Sequence, residues 1–442
     1  MFFNFLFSNT PLFYLVQSFW RDEAFSVIFA RQSLITIVTK STIEPPLYYF
    51  LLHFWMQVFG TSEVAVRSLS LVGFALATIV VIEWSEKLFS GHWLTKFTPL
   101  FFFLNPMFLY YACEARAYGW YIFFAILSMF AFDQKKWGLY IVGVTLGLYT
   151  HFYLGIIPLV HLLYYAYQNR IWHQIKHPKK LFTYPLIRSL LIIGILFLPW
   201  IIHVLSTLTT LKQTWYFPIT VNLIFSVLGS MFLGYEGTPW HIGGWITLIS
   251  FILFLLFSKA LVLKKTRAHT ILLFLQIFLP LVGIIGISYI KPMFTIRYLI
   301  PVTIAEVLLL SFTIRAISNT VIQKICAGIL LGGIVLFNCW YPTKHAKLDI
   351  RKAVQEVNAI KTPKDFIVAS DVIIFMETLF YAKDIQSVRL YNPYNNPFPW
   401  YIGDTVYSPK YNMVSLPHYP NRAFFIEKDG TYTIRYKISH TN

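Results

Sequence analysis

The chain has 442 residues, 57% of them hydrophobic, 19% aromatic and only 12% charged, with a formal net charge of +17. An ordinary soluble domain carries roughly 25% charged residues, so there is too little charge here to cover a soluble globule of this size. Excess lysine and arginine in such a chain marks the ends of membrane spans rather than a nucleic-acid partner, and the basic stripe or arm that nucleic-acid binding requires is missing. Cys113, Cys326 and Cys339 have no CxxC spacing and lie in or beside apolar stretches, which points to neither a zinc site nor a disulfide framework.

Apolar runs of the length a helix needs to cross hydrocarbon recur from the start of the chain to about Tyr341. Met1 to Phe19 lacks a basic start and a small-residue cleavage site, and reads as a short first span rather than a leader. The predicted spans are 2–19, 62–86, 95–112, 117–133, 137–150, 152–168, 186–205, 243–263, 269–290, 298–314 and 322–341, eleven in all. Residues 137–168 are taken as a tight hairpin because basic clusters flank both ends. Alternate connections hold fourteen cations, from Lys87 and Lys96 to Arg315 and Lys324, and are expected to be cytoplasmic. The opposite connections hold single cations beside other polar groups: Arg21, Arg31, Lys40, Arg67, Arg116, Lys212, Lys291 and Arg297. That side is expected to face outward.

Two outward segments are long. Phe25, Ile28, Phe29 and Ile37, with Ser33 replacing one position, space as a helix lying along the interface over Ala24 to Lys40. Pro45 and Pro46 then start a second short interfacial helix over Leu47 to Phe59, so that 24–59 would roof the membrane surface. The other segment, 206–242, reads as an outward loop carrying Lys212, Trp215, Tyr216, Tyr235, Glu236, Trp240 and His241. Beyond Tyr341 the charge rises and apolar runs shorten, so 1–341 forms the transmembrane domain and 342–442 a separate outward α/β domain. Its predicted elements are a helix through Ile350, Val354, Val357 and Ile360, strands at Phe366–Ala369 and Ser387–Tyr391, a helix over Asp371–Ala382, loop from Tyr391 to Tyr419, and strands at Ala423–Ile426 and Thr431–Ile438.

Ionisable groups near a bilayer are costly without a purpose, and five separated segments put them on the outward side. Trp20-Arg21-Asp22-Glu23-Ala24 follows the first span; its carboxylates can act as a general base, bind a metal or cap the helix that follows. Glu44 precedes the two prolines and, alone, reads as a helix cap. Glu114 and Arg116, two apart between spans, can pair with each other or meet a phosphate. His151 tops the hairpin, where a helix-end hydrogen bond is the plain reading, while Lys291, Arg297 and Tyr298 can serve as interfacial anchors.

The ordered set WRDEA, EPPLYYFLLHFW, GTSEVAVRSLSLVGF, YYACEARAYGW, LYTHFYLG and RYLIP, over about residues 18 to 301, resembles the membrane glycosyltransferases of the GT-C superfamily. The branch resembled contains the protein O-mannosyltransferases of glycosyltransferase family 39 and the lipid A aminoarabinose transferases, and the C-terminal module resembles outward domains of its bacterial members. The resemblance implies transfer of a sugar, mannose or a related one, with inversion, from a polyprenyl-phosphate donor to a glycan, lipid or protein acceptor on the outer face. Absent eukaryotic retention signals and short loops point to a bacterial inner membrane. On this reading Asp22 is the general base, with Glu23 fixing its geometry. Arg116 and Arg297, with Lys291, hold the donor phosphate. Glu44, Glu114, His151 and Arg67 bind donor sugar or acceptor. Glu44 stands where many relatives have histidine or aspartate, which leaves its role less fixed. Close relatives do not generally need a metal, although Asp22, Glu23 and Glu44 together could hold a divalent cation. The rival outside enzymology is a transporter or flippase of lipid-linked sugars, for which repeated halves and midplane polar residues are expected; no repeat is detectable in this sequence.

Overall fold

The computed structural model describes residues 2–41, 44–174, 178–207, 218–234, 240–262, 267–399 and 402–438. It is a mostly helical integral membrane protein with a small C-terminal α/β domain. Among the described residues six helices are long and apolar enough to cross a membrane: Glu63–Leu88, Pro185–Ser206, Ile242–Ala260, Arg267–Ser288, Ile296–Arg315 and Thr320–Lys344. The central one is Ile296–Arg315, whose apolar window is 94% buried. Leu, Ile and Val run all round it, as a helix enclosed by other helices requires.

Several expected spans are interrupted. The 2–19 run divides into Phe2–Asn9 and Phe13–Val16, with Pro11 at the break. The 95–112 run divides into Leu94–Phe103 and Pro106–Ala112. Asn105 makes that second break stable: its side chain accepts from the Phe108 backbone N–H (3.4 Å) and donates to the Phe232 carbonyl (3.0 Å), so that freed backbone groups find partners in an apolar setting. The 137–168 stretch is a hairpin, Trp137–Leu148 and Ile156–Gln168.

The expected outward loop 206–242 contains an apolar helix, Val221–Leu233. At 13 residues it falls short of the roughly 20 that signal a span. Packing holds it in place, since Gly229 donates its N–H to Ser250 Oγ (2.7 Å) and Thr303 Oγ1 donates to the Met231 carbonyl (2.9 Å). Lys212, Trp215, Tyr216, Tyr235 and Glu236 lie outside the described residues.

Ala24 to Lys40 is not one helix but two, Arg21–Ala30 and Leu34–Lys40. Ser33, counted as a polar substitute on an apolar face, is instead the N-cap of the second, its Oγ accepting from Thr36 N at 3.2 Å. Leu47–Phe59 follows the proline pair as a helix.

In the C-terminal domain a five-stranded sheet has the order β3-β2-β1-β4-β5, with β1 Phe366–Ala369, β2 Val388–Tyr391, β3 Asn412–Met413, β4 Ala423–Ile426 and β5 Tyr432–Arg435. All pairs are parallel except β4 with β5. The two-residue β3 lies in the segment read as loop; it is too short to show a strand pattern. Helices Ile350–Ile360 and Phe375–Tyr381 cover the sheet, the latter packing on Arg21–Ala30. Polar contacts tie the domain to the membrane part. Arg351 reaches Glu63 at 2.9 Å, and the Tyr381 hydroxyl accepts from Phe19 N (2.7 Å) and donates to Glu63 Oε1 (2.9 Å).

Candidate active site

Close backbone contact fixes the frame of the site. Helices Glu63–Leu88 and Tyr118–Asp133 meet at Gly73 and Gly119, where a Cβ on Gly119 would lie 2.0 Å from the Ser70 carbonyl oxygen and one on Gly73 would lie 2.7 Å from Gly119 C. Only glycine permits this approach. The same approach brings Ser70 Oγ to the Arg116 carbonyl at 2.7 Å, which sets where Arg116 leaves the chain.

A cavity of about 1260 Å³, counting its open mouth, lies where the short roof helices, the helix ends and the C-terminal domain meet. Asp22, Arg116 and Arg297 line it together, with Glu44, His151, Arg21, Lys40 and several tyrosines. Asp22 sits in the first turn of Arg21–Ala30, its Oδ1 accepting from Arg21 Nε at 2.9 Å, with its side chain 15% exposed. Burial would raise its carboxyl, but Arg21, Arg116 and Arg297 outweigh burial and hold it below the usual carboxylate range. Asp22 is therefore ionised at neutral pH.

Arg116 donates to Glu44 Oε1 at 2.5 Å, and Tyr49 donates to the other carboxylate oxygen. Glu44 thus stands beside the guanidinium, and its turn is fastened to the hairpin top by the Leu47 N–H bond to the Tyr149 carbonyl (3.1 Å). The segment carrying Arg297 is held from beneath by Tyr121, which donates to the Tyr298 carbonyl (2.8 Å), and by Tyr153, which donates to the Met293 carbonyl (2.9 Å). His151 stacks on Tyr121 with ring centroids 4.6 Å apart. Burial first, then Arg116 and Arg297, push its imidazole down to about 3, so the ring is neutral and offers one donor and one acceptor.

Four other expected site residues do not line this cavity. Glu23, about 100° round the helix from Asp22, points away from the cavity. It is fully buried and takes both Arg67 Nε (2.8 Å) and an Arg67 terminal nitrogen (2.7 Å), Ala115 N (2.8 Å), Trp20 N (3.3 Å) and Lys347 Nζ (3.1 Å). Arg67 and Lys347 outweigh the effect of burial and keep Glu23 ionised. Arg67, also fully buried, further donates to the carbonyls of Leu15 (3.0 Å), Gln17 (2.6 Å) and Ser18 (3.2 Å). It clamps the chain just before Asp22. Glu114 is buried with Lys347 Nζ at 3.2 Å, burial raising its carboxyl and Lys347 only partly offsetting this. Lys291 is exposed at the end of its helix.

The helix-capping reading therefore fits Glu23, whose carboxylate accepts from Trp20 N, while Asp22 is the carboxylate turned to the cavity. The structure does not gather Asp22, Glu23 and Glu44 at one point. Among the described residues no group of three histidine, cysteine or acidic side chains is placed to hold a metal ion.

Sequence reasoning missed Lys347, one of several lysines past the last span with no local signal, and the cavity-lining segment Ile402–Thr405 of the C-terminal domain, which sits in an Asn-, Pro- and Tyr-rich stretch read only as loop.

No family model matches the sequence, and no curated protein matches it. Among solved structures the chain is similar to ArnT from Cupriavidus metallidurans in the apo state, with a TM-score of 0.64 and 12% identity over 94% of this chain and 90% of that one. It is similar as well to ArnT from Cupriavidus metallidurans bound to undecaprenyl phosphate, with a TM-score of 0.62 and 11% identity over the same shares. At this identity the likeness establishes the fold: the chain has the ArnT-like architecture of membrane helices with a small C-terminal domain.

Proposed function

We propose that the chain is an inverting glycosyltransferase that moves a sugar from a polyprenyl-phosphate donor to an acceptor hydroxyl at the outward membrane surface. The observation that carries this reading is one ionised carboxylate, Asp22, sharing a cavity with Arg116 and Arg297. The shared fold adds support, because ArnT is a lipid A aminoarabinose transferase and one ArnT structure holds undecaprenyl phosphate. A polyprenyl tail is soluble only in the bilayer, so a surface cavity between helices is where its phosphate belongs.

In a direct displacement the acceptor oxygen bonds to the anomeric carbon as the carbon–phosphate oxygen bond breaks. Positive charge builds on the sugar, negative charge on the leaving phosphate, and the acceptor hydroxyl becomes acidic as it bonds. Asp22 takes that proton. A carboxylate held low is a weak base toward a free alcohol but a competent one late in such a step. Arg116 and Arg297 receive the phosphate oxygens, and guanidinium can do so bidentately. Glu44, already paired with Arg116, competes with the phosphate until the donor enters, and then turns to sugar hydroxyls, as does neutral His151. Glu23, Arg67 and Glu114 contribute by fixing the segments that carry Asp22 and Arg116.

Undecaprenyl phosphate binding tests the arginines: Arg116→Ala with Arg297→Ala is expected to weaken it by at least about a hundredfold, as two charge-assisted contacts are lost. Unchanged affinity would remove both from the phosphate site. The pH profile of transfer tests the base. Because Asp22 is held below its usual value, the carboxylate persists as pH falls, and kcat/KM should stay level through the mildly acid range, with any acid limb lying below the ordinary range of an aspartate. A limb near pH 6 that Asp22→Asn abolished would contradict the depressed carboxyl.

A further inference from the structure

One wall of the cavity comes from the C-terminal domain rather than the membrane helices: Ile402, Gly403, Asp404 and Thr405 line it, against the helix that carries Asp22 and Phe25. We infer that Asp404 is the acceptor subsite, binding a hydroxyl-bearing acceptor such as a glycan through hydrogen bonds to its carboxylate; this rests on the transferase reading above.

The wall is built into place. Gly403 has φ +101°, and a Cβ there would lie 2.3 Å from Phe25 Cδ2 and 2.5 Å from Cε2, so the loop backbone presses on that ring. Phe25 is itself fixed, stacked on Phe29 with centroids 5.4 Å apart and edge-on to Tyr49 at 6.3 Å. It stands three residues, about one helical turn, beyond Asp22, so the Asp404 loop is anchored one turn from the proposed base.

The charges divide the cavity in the same sense. Three carboxylates line it, Asp22, Glu44 and Asp404. Asp22 is held by Arg21, and Glu44 by Arg116 and Tyr49. Asp404 has no cation paired with it among the described residues, and its carboxylate meets the neighbouring Thr405 backbone N–H. Depth supplies the direction: the Arg116 side chain is 10% exposed and Arg297 is buried, whereas Asp404 is exposed. In a displacement with inversion the leaving phosphate and the entering hydroxyl lie on opposite sides of the anomeric carbon. With the phosphate at the deep arginines, the acceptor occupies the open side, where a carboxylate accepts hydrogen bonds from its hydroxyls.

The test uses the full chain in detergent or lipid, undecaprenyl phosphate as the donor-site probe, and labelled polyprenyl-phosphate sugars with titrated bacterial envelope extract as acceptor. Asp404→Ala is expected to raise the half-saturating acceptor level about tenfold, the worth of one hydrogen bond to a charged group. The isosteric Asp404→Asn, which keeps one acceptor oxygen, should raise it less, and undecaprenyl phosphate affinity should stay within about twofold in both. Wild-type acceptor dependence in both variants would overturn the subsite alone. Equal loss of acceptor and undecaprenyl phosphate binding would place Asp404 on the donor side and also overturn it. If the unaltered protein neither binds undecaprenyl phosphate nor turns over any donor, the transferase reading fails and takes the subsite with it.

Discussion

Asp22→Asn is expected to lower sugar transfer about a thousandfold, within the range that positioned proton transfer contributes, while the protein stays folded. Asparagine keeps an oxygen that can accept from Arg21 Nε, the one hydrogen bond that the Asp22 carboxylate makes among the described residues. The same change removes a negative charge near Arg116 and Arg297, so undecaprenyl phosphate should bind the variant at least as tightly as the unaltered protein. This pairing separates a base from a ligand-holding group. A residue that bound the donor directly, or through a cation, would lose affinity and rate together. Transfer by Asp22→Asn within about tenfold of the unaltered rate would exclude Asp22 as the base.

The second large effect is on stability. Arg67→Met leaves Glu23 buried with Lys347 as its remaining cation among the described residues, and strips the partner from the carbonyls of Leu15, Gln17 and Ser18. Removing one member of a buried pair costs about 3–5 kcal/mol, so the apparent melting temperature in detergent should fall on the order of 5 °C or more. Lys87→Met breaks an exposed pair, with Lys87 and Glu83 at 37% and 52% exposure, and should cost under about 1 kcal/mol. Equal melting temperatures for the two variants would mean that the Arg67 clamp does not hold the first loop. Because Arg67 fixes the segment leading to Asp22, any Arg67→Met protein that survives should also transfer poorly, with a loss in kcat larger than in donor affinity.

Much of the architecture was legible in the sequence because its signals are long. Apolar runs of membrane length, the uneven lysine and arginine distribution and the rise in charge after Tyr341 depend on many residues each. The interruptions were harder to see. Asn105-Pro106 is a turn signal hidden inside a run that is otherwise mostly apolar, Ser33 looks alike as a cap and as a polar gap, and Val221–Leu233 is held by packing rather than by its length.

In the site, composition showed which segments carry charge, and the structure sorted those charges by direction. Asp22 and Glu23 are chemically alike and adjacent, yet helix geometry turns one to the cavity and the other to Arg67. Arg116 and Glu114, two apart, divide in the same way, one to Glu44 and the cavity, the other to Lys347. Such choices depend on residues far away in the chain. Lys347 and the Gly403–Thr405 wall come from beyond the last membrane helix, and no local pattern could assign them to a site begun at Asp22.

The most direct measurement is transfer of radiolabelled sugar from a panel of polyprenyl-phosphate sugars by the purified unaltered protein, with envelope extract as acceptor. Labelled product or slow hydrolysis from one donor, absent with Asp22→Asn, is the predicted result and would name the sugar. Tight binding of a donor with no turnover by either protein would contradict the account and leave a lipid-linked-sugar carrier or an inactive relative in its place.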